Sequence, residues 1–261
     1  MKTIRKGDKG EEVKILQRAL GIADDGIFGP ATEKALKAWQ NDHGLFPDGI
    51  AGPKTWTAIE YGDNSTLTIT PGYINTHITR CINRPIKYIA IHYTAGSTSK
   101  AGSAMNTRSV FISRRASADY VVDDSQIVQI NPDLRNYYCW SVGDAKNTSS
   151  GGGRLYGKAT NKNTVSIEMC STLKKGTSAL VPNHEGWSVT DSVVDNTLKL
   201  VRYLMLKYDI PKENVVRHYD VSGKICPGIL GWNNAPIYTI TGKQTSERSK
   251  SDKWQEFWER I

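Results

Sequence analysis

The chain has 261 residues, 38% hydrophobic and 23% charged, an ordinary composition for a soluble globular protein with ample core-forming residues. At about 150 residues per domain it makes one large domain or two smaller ones. No apolar run approaches the roughly 20 residues of a membrane helix, so membrane insertion is excluded as an expectation.

The net charge is +8, and its placement says more than its size. Residues 1–62 hold nine Lys/Arg and nine Asp/Glu, so the whole surplus falls in 63–261. A basic domain suits an anionic partner such as cell-wall polymer, nucleic acid or a membrane surface, or the charge simply keeps the protein soluble. The basic residues are not clustered with aromatics, which argues against nucleic acid. The start, "MKTIRKGDKGEE", is basic with no apolar run behind it, unlike a secretory signal peptide. Synthesis in a cytoplasm, with later release, is the expectation. Four cysteines, Cys81, Cys139, Cys170 and Cys226, are too few for a disulfide scaffold and read as buried small hydrophobes, Cys226 excepted.

In chain order, "EEVKILQRAL" spaces Val13, Leu16 and Leu20 as one helix face. An internal repeat follows: "DGIFGPAT" from Asp25 and "DGIAGPKT" from Asp48. Each pairs turn glycines with a Gly-Pro that opens a helix, where proline's missing N–H costs nothing. The helix after Pro30 puts Ala35, Leu36 and Trp39 on one side, and a third after Pro53 carries Trp56 and Ile59. The expectation is a three-helix domain over 1–62 and a polar linker over 63–74.

Residues 75–261 alternate strand-like and helix-like patterns, which predicts an α/β domain: a mixed central sheet flanked by helices. "IKYIAIHYT" reads as a buried strand, "ADYVVDDSQIVQI" as a hairpin and "TVSIEMC" as another strand. "TDSVVDNTLKLVRYLMLKYDI" predicts a helix with Val194, Leu198, Val201, Met205 and Tyr208 on one face, stopped by Pro211. "NVV" is a short strand leading to His218, and "DKWQEFWERI" a helix docked through Trp254, Phe257, Trp258 and Ile261. The polar stretch 149–163 reads as a loop that either is solvated or borders a substrate groove, and 235–252 as a solvated loop.

Strand alternation puts His92 and Glu168 at the ends of apolar strands, on the faces away from Ile89, Ile91, Val165 and Ile167. A buried carboxylate is costly unless something ionic meets it. "HYDVSGKICPG" places His218, Lys224 and Cys226 on one short loop. His92, His218 and Cys226 would supply the three protein ligands of a catalytic zinc site, which leaves its fourth position open. The ion would lower the pKa of water to roughly 7. Glu168 would then act as general base and acid, and Lys224 would stabilise the oxyanion. Each residue also has a plain structural reading: a hydrogen-bonded histidine, a buried cysteine, half of an ion pair. His43, His77 and His184 are read that way.

Two resemblances bear on the choice. Gly10, Val13, Leu16, Gln17 and Leu20, both D-G-x-x-G-P-x-T repeats and Trp39-Gln40 resemble the three-helix peptidoglycan-binding domain of wall hydrolases, which implies a role in holding the wall. Over residues 84–231, "IAIHYTAG", "SADYVVDDSQIVQ", "CWSVGDAK", "NKNTVSIEM" and "RHYDVSGKICPG" resemble the zinc-dependent N-acetylmuramoyl-L-alanine amidase family. That resemblance implies His92, His218 and Cys226 as ligands of one Zn2+, with Glu168 and Lys224 as catalytic residues. It also implies bacterial peptidoglycan as substrate, cut between N-acetylmuramic acid and L-alanine, as an endolysin does. The catalytic tyrosine that some members carry before the hairpin is absent, since Ser117-Ala118-Asp119 stands there. Trp140 and Tyr156 are candidate substrate contacts. Two other readings are a peptidoglycan-binding protein without activity and a wall peptidase using Cys170 as nucleophile.

Overall fold

The computed structural model describes residues 2–43, 45–61, 67–143, 146, 147, 149–178 and 180–261. It divides into two compact units, Met1–Leu67 and Thr68–Ile261.

Among its described residues the smaller unit has three helices: α1 (Glu11–Ala19), α2 (Pro30–Asp42) and α3 (Pro53–Tyr61). Val13, Leu16, Leu36 and Trp56 meet Ile4, Phe28 and Ala51 in its core, with Leu20, Trp39 and Ile59 packed at the margin. The sequence repeat is a repeated hydrogen-bonding device. The Gln17 amide donates to Asp25 Oδ1 (2.7 Å), the Ile27 carbonyl (3.1 Å) and Thr32 Oγ1 (3.0 Å), while its Oε1 accepts from the Gly26 N–H at 2.9 Å. Gln40 does the same to Asp48 (2.9 Å), Ile50 (3.0 Å), Thr55 (3.1 Å) and Gly49 (2.9 Å). Gly26 and Gly49 sit at φ 72° and 73°, in the left-handed region where a side chain is strained. Each glutamine thus ties a glycine turn to the helix that the following proline opens.

The larger unit is a mixed α/β fold. Its six-stranded sheet comprises β1 (Ile69–Pro71), β3 (Tyr88–Tyr93), β4 (Tyr120–Val122), β5 (Ile127–Gln129), β7 (Thr164–Met169) and β10 (Val215–Arg217), in the order β1-β5-β4-β7-β3-β10. Only β4 and β5 pair antiparallel; every other neighbour is parallel. Two small ribbons join β2 (Ile78–Arg80) to β6 (Tyr137–Cys139) and β8 (Thr172–Leu173) to β9 (Trp187–Ser188). Helix α4 (Ser103–Ser113) packs on β4 and β5, α5 (Asp191–Tyr208) on β4, β5 and β7, and the single turn α6 (His218–Ser222) beside β3 and β10. No described helix is long and apolar enough to cross a membrane.

Three expectations need correction. Within 63–74, residues 69–71 form an edge strand, and the N–H groups of Gly72 and Ile74 extend the pairing to Gln129 and Ile130. Residues 62–66 of the expected linker lie outside the described ones. Within 235–252, β11 (Pro236–Tyr238) and β12 (Gln244–Arg248) make an antiparallel ribbon before α7 (Asp252–Glu259). On α5 the buried stripe is Val193, Thr197, Leu198, Leu200, Val201 and Leu204, while Val194, Met205 and Tyr208 are only half-buried. Thr197 fits this stripe because its hydroxyl donates to the Val193 carbonyl at 2.7 Å. Elsewhere α7 buries Trp254 and Phe257, and Ile261 follows them inside. Trp258 stays half-buried under the Lys212 ammonium, 4.4 Å from its ring centre.

One buried ion pair braces the sheet. Arg84 is 1% exposed and Asp119 is fully buried, with 3.1 Å between Nη1 and Oδ1. Arg84 also donates to the carbonyls of Tyr137, Lys162 and Thr164. Asp119 accepts from Asn131 Nδ2 (2.7 Å) and from the N–H and hydroxyl of Ser166 (2.8 and 3.0 Å). Every charge is met, so the pair ties β4 and β7 to the loop entering β3.

Candidate metal centre

The parallel register of β3 and β7 sets Ile89 beside Val165, Ile91 beside Ile167 and His92 beside Glu168. Two apolar strands buried on both faces therefore deliver an imidazole and a carboxylate at adjacent C-terminal ends. Strand β10, on the far side of β3, delivers His218. The His92 and His218 rings lie 4.5 Å apart.

His218 is held by its own turn. Arg217 receives both oxygens of Asp220: Nε and Nη2 donate at 2.8 Å each, and the Arg217 N–H adds a third bond at 2.9 Å. The same guanidinium donates to the Trp232 carbonyl (3.0 Å) and Ser251 Oγ (2.9 Å) and faces the rings of Tyr219 and Trp254. After α6 the chain turns at Gly223, where an added Cβ would lie 1.8 Å from the Asn147 carbonyl oxygen. The Tyr219 N–H then donates to the Cys226 carbonyl at 2.9 Å, folding the loop back so that the thiol reaches the histidines.

One ligand atom from each of His92, His218 and Cys226 lies within 4.8 Å of the others, and all three residues are buried. Cys226 Sγ is 3.7 Å from His92 Nδ1, and Glu168 Oε1 is 4.0 Å from that nitrogen. Around a tetrahedral zinc ion, bonds of about 2.0 Å to nitrogen and 2.3 Å to sulfur set those two atoms about 3.5 Å apart. The His218 Nε2–H donates to the Val142 carbonyl at 3.0 Å, which leaves Nδ1 as a lone pair. That Nδ1, His92 Nε2 and Glu168 Oε2 are buried without a hydrogen-bond partner. Unpaired buried polar atoms carry a desolvation cost of about 1–3 kcal/mol each, and His218 Nδ1 and Glu168 Oε2 belong to the residues flanking the His92 Nδ1–Cys226 Sγ pair, which marks a place for a ligand. The donor set therefore fits a metal ion.

Electrostatics agree. Burial, the neighbouring His218 and Lys224 together hold His92 well below the usual histidine range. Burial and Lys224 lower His218 to about 3. Both imidazoles are neutral at pH 7, as ligation requires. Burial pushes the Cys226 thiol up to about 12, with Glu168 adding and Lys224 opposing. Burial likewise raises Glu168 to about 8, against the pull of Lys224. The Lys224 side chain is exposed at the rim, so it acts on these four groups from the solvent side instead of from a dry pocket.

A groove of about 640 Å3 opens over this cluster. Thr107, Val110 and Phe111 of α4 and Arg114 just after it form one wall, and Trp140, Asn147 and Pro182 border the rest. Nothing in the sequence singled out α4, whose Val110 the structure leaves 41% exposed at the groove. Trp140 stands between this groove and a second basin of about 790 Å3, its Nε1 donating to Thr79 Oγ1 at 2.9 Å. Tyr156 is exposed and is not among the groove's lining residues. Its loop braces α6 from behind: Gly153 and Leu155 N–H groups donate to Tyr219 and Asp220 carbonyls, and a Cβ on Gly152 would meet the Tyr219 carbonyl at 2.3 Å. Asp144 and Ala145, in the "CWSVGDAK" segment, lie outside the described residues. Cys170 packs in the apolar cluster of Ile74, Phe111, Val121 and Val128, and burial pushes its thiol up to about 12. A nucleophile needs the opposite environment. All four cysteines are free thiols, Cys81 and Cys139 included. His43, His77 and His184 bond to backbone groups of Trp39, Phe111 and Gly186, and Tyr120 packs in the sheet, 1% exposed.

The profile of the N-acetylmuramoyl-L-alanine amidase family matches residues 82–229, more than half of the 261. The chain belongs to that family. A profile described as a putative peptidoglycan binding domain matches residues 9–59. The chain is similar to N-acetylmuramoyl-L-alanine amidase CwlL of Bacillus licheniformis, 32% identical over 178 residues that make 64% of this chain and 41% of that one. It is also similar to N-acetylmuramoyl-L-alanine amidase CwlH of Bacillus subtilis (strain 168), 31% identical over 152 residues, 56% of this chain and 50% of the relative. The chain thus spans half or less of the length of these relatives. Among solved structures it is similar to that of PlyL, at 26% identity and a TM-score of 0.43, over 62% of this chain and 87% of the other.

Proposed function

We propose that the protein is a peptidoglycan hydrolase that cleaves the amide between the lactyl group of N-acetylmuramic acid and L-alanine of the stem peptide. The observation that carries this reading is the convergence of His92, His218 and Cys226 beside Glu168 under an open groove. His92, His218 through Nδ1, and Cys226 as thiolate would hold one zinc ion. When bound, such an ion supplies Lewis acidity, polarising a carbonyl and making water acidic near neutral pH. Glu168 receives the proton of the attacking water and passes it to the departing amide nitrogen. A carboxyl raised by burial and drawn down by nearby positive charge is poised for both directions near pH 7. Lys224 faces the oxygen that gains charge; its exposure means the bound glycopeptide must cover it before its field is fully felt. The smaller unit, through its match at residues 9–59, is assigned to holding the wall.

Mass spectrometry of purified muropeptides after digestion tests the bond. New amino termini on L-alanine, with free lactyl carboxyls, are expected. New amino termini inside the stem peptide would indicate a peptidase, and unchanged muropeptides a binding protein; either result overturns the proposal.

A further inference from the structure

His218 offers Nδ1 as a lone pair only while Nε2 keeps the proton, and the Val142 carbonyl, 3.0 Å away, is what keeps it there. That carbonyl belongs to no strand. Val142 lies in the irregular stretch after β6, and its side chain packs with Ala90, Ala159, Val216 and Val221. Side-chain burial fixes where the residue sits but not which way its peptide groups turn. Asn161 pins the two peptide planes that precede this carbonyl: its Oδ1 accepts from two successive backbone N–H groups, Ser141 at 3.0 Å and Val142 at 2.9 Å. Asn161 in turn stands on a fastened turn at the entry to β7. Asn163 Oδ1 accepts from the Thr160 N–H at 2.8 Å, and the Asn163 carbonyl accepts from Lys87 and Tyr88 N–H groups at 2.8 and 3.1 Å.

We infer that Asn161 is a positioning residue for His218: by gripping the Ser141 and Val142 amides it aims the Val142 carbonyl at Nε2 and so selects the Nε2–H tautomer that can ligate. The inference rests on the reading of this cluster as a metal site. The relay runs from the turn before the strand that carries Glu168, through a backbone segment, to a histidine on the opposite side of β3. What matters at position 161 is an acceptor oxygen, so aspartate can serve and a hydrocarbon cannot.

The test compares Asn161→Leu and Asn161→Asp in the full chain, with Leu204→Ala on α5 as a control that destabilises the fold away from the site. Zinc affinity is read by chelator competition, and the His218 tautomer by its ring nitrogen chemical shifts in the metal-free protein. Asn161→Leu is expected to weaken zinc binding by about ten- to a hundredfold and to show Nδ1–H character, with Asn161→Asp within about threefold of wild type. Leu204→Ala is expected to lower the melting temperature with zinc affinity and tautomer intact. Should Asn161→Leu not fold, Asn161→Ala takes its place. Wild-type affinity and tautomer in the hydrocarbon variant, or equal losses in Asn161→Asp, would overturn the inference. The metal-free tautomer separates this outcome from failure of the zinc reading itself, which would appear as no zinc binding by wild type.

Discussion

Gln17 and Gln40 in the smaller unit, and His92, Glu168 and His218 in the larger, are all polar side chains largely removed from water, yet they are treated in opposite ways. Each glutamine meets partners at both ends of its amide. The other three each keep an atom with nothing to bond. The larger unit does not lack the means to satisfy buried charge, because Arg84–Asp119 and Arg217–Asp220 are richly bonded there. Unpaired buried atoms thus gather where strand ends and the loop after α6 hold them in spite of the cost.

The sharpest way to break this contrast is Glu168→Gln. At neutral pH the raised carboxyl is largely protonated in the metal-free protein, so the amide is a near-isostere and stability should change little. Turnover of wall substrate should fall by about 10²–10⁴-fold, the range for loss of a general acid–base group. A variant that melts early but turns over normally would place Glu168 with the structural group. Arg84→Met probes the opposite class: it leaves Asp119 buried without its cation and should cost about 3–5 kcal/mol in urea unfolding of the larger unit. In the smaller unit, Gln17→Leu and Gln40→Leu should each cost about 1–3 kcal/mol, read as faster amide exchange at Gly26 and Gly49. Equal effects at the two sites would establish the repeat as two copies of one device.

The smallest effect is expected at Asp123, in the turn between β4 and β5. Burial alone would raise its pKa, but N–H groups of Ala104 and Ser125 and the side chains of Gln126 and Ser125 hold it below 3.8. A lowered folded-state pKa adds stability that is complete above the unfolded value and lost as pH falls through the folded one. Asp123→Asn should therefore cost about 1–2 kcal/mol at pH 7, with the gap to wild type closing below pH 3.8. Thermal melts across that range measure it.

Much of this was legible in the sequence, for identifiable reasons. The helix of Trp254, Phe257 and Ile261 announces itself because large apolar residues recur at helical spacing in a polar background. His92 and Glu168 stand out because strand alternation leaves them alone on apolar segments. Their pairing across β3 and β7 was not readable, since the register of parallel strands so far apart depends on the whole sheet. The α5 face was misjudged because a threonine that bonds its own backbone looks polar in sequence and behaves as core. Strand β1 was hidden by its short length and its proline, and the β11–β12 ribbon by strands that bury no residue fully and so carry no apolar alternation.

The most direct test of the account is bound zinc per chain, by elemental mass spectrometry, in wild type beside Cys226→Ser, with wall lysis followed on the same samples. The account predicts about one zinc per chain in wild type and a large loss of both metal and lysis in the variant. Equal zinc in the two proteins would remove the thiolate from the ligand set and contradict it.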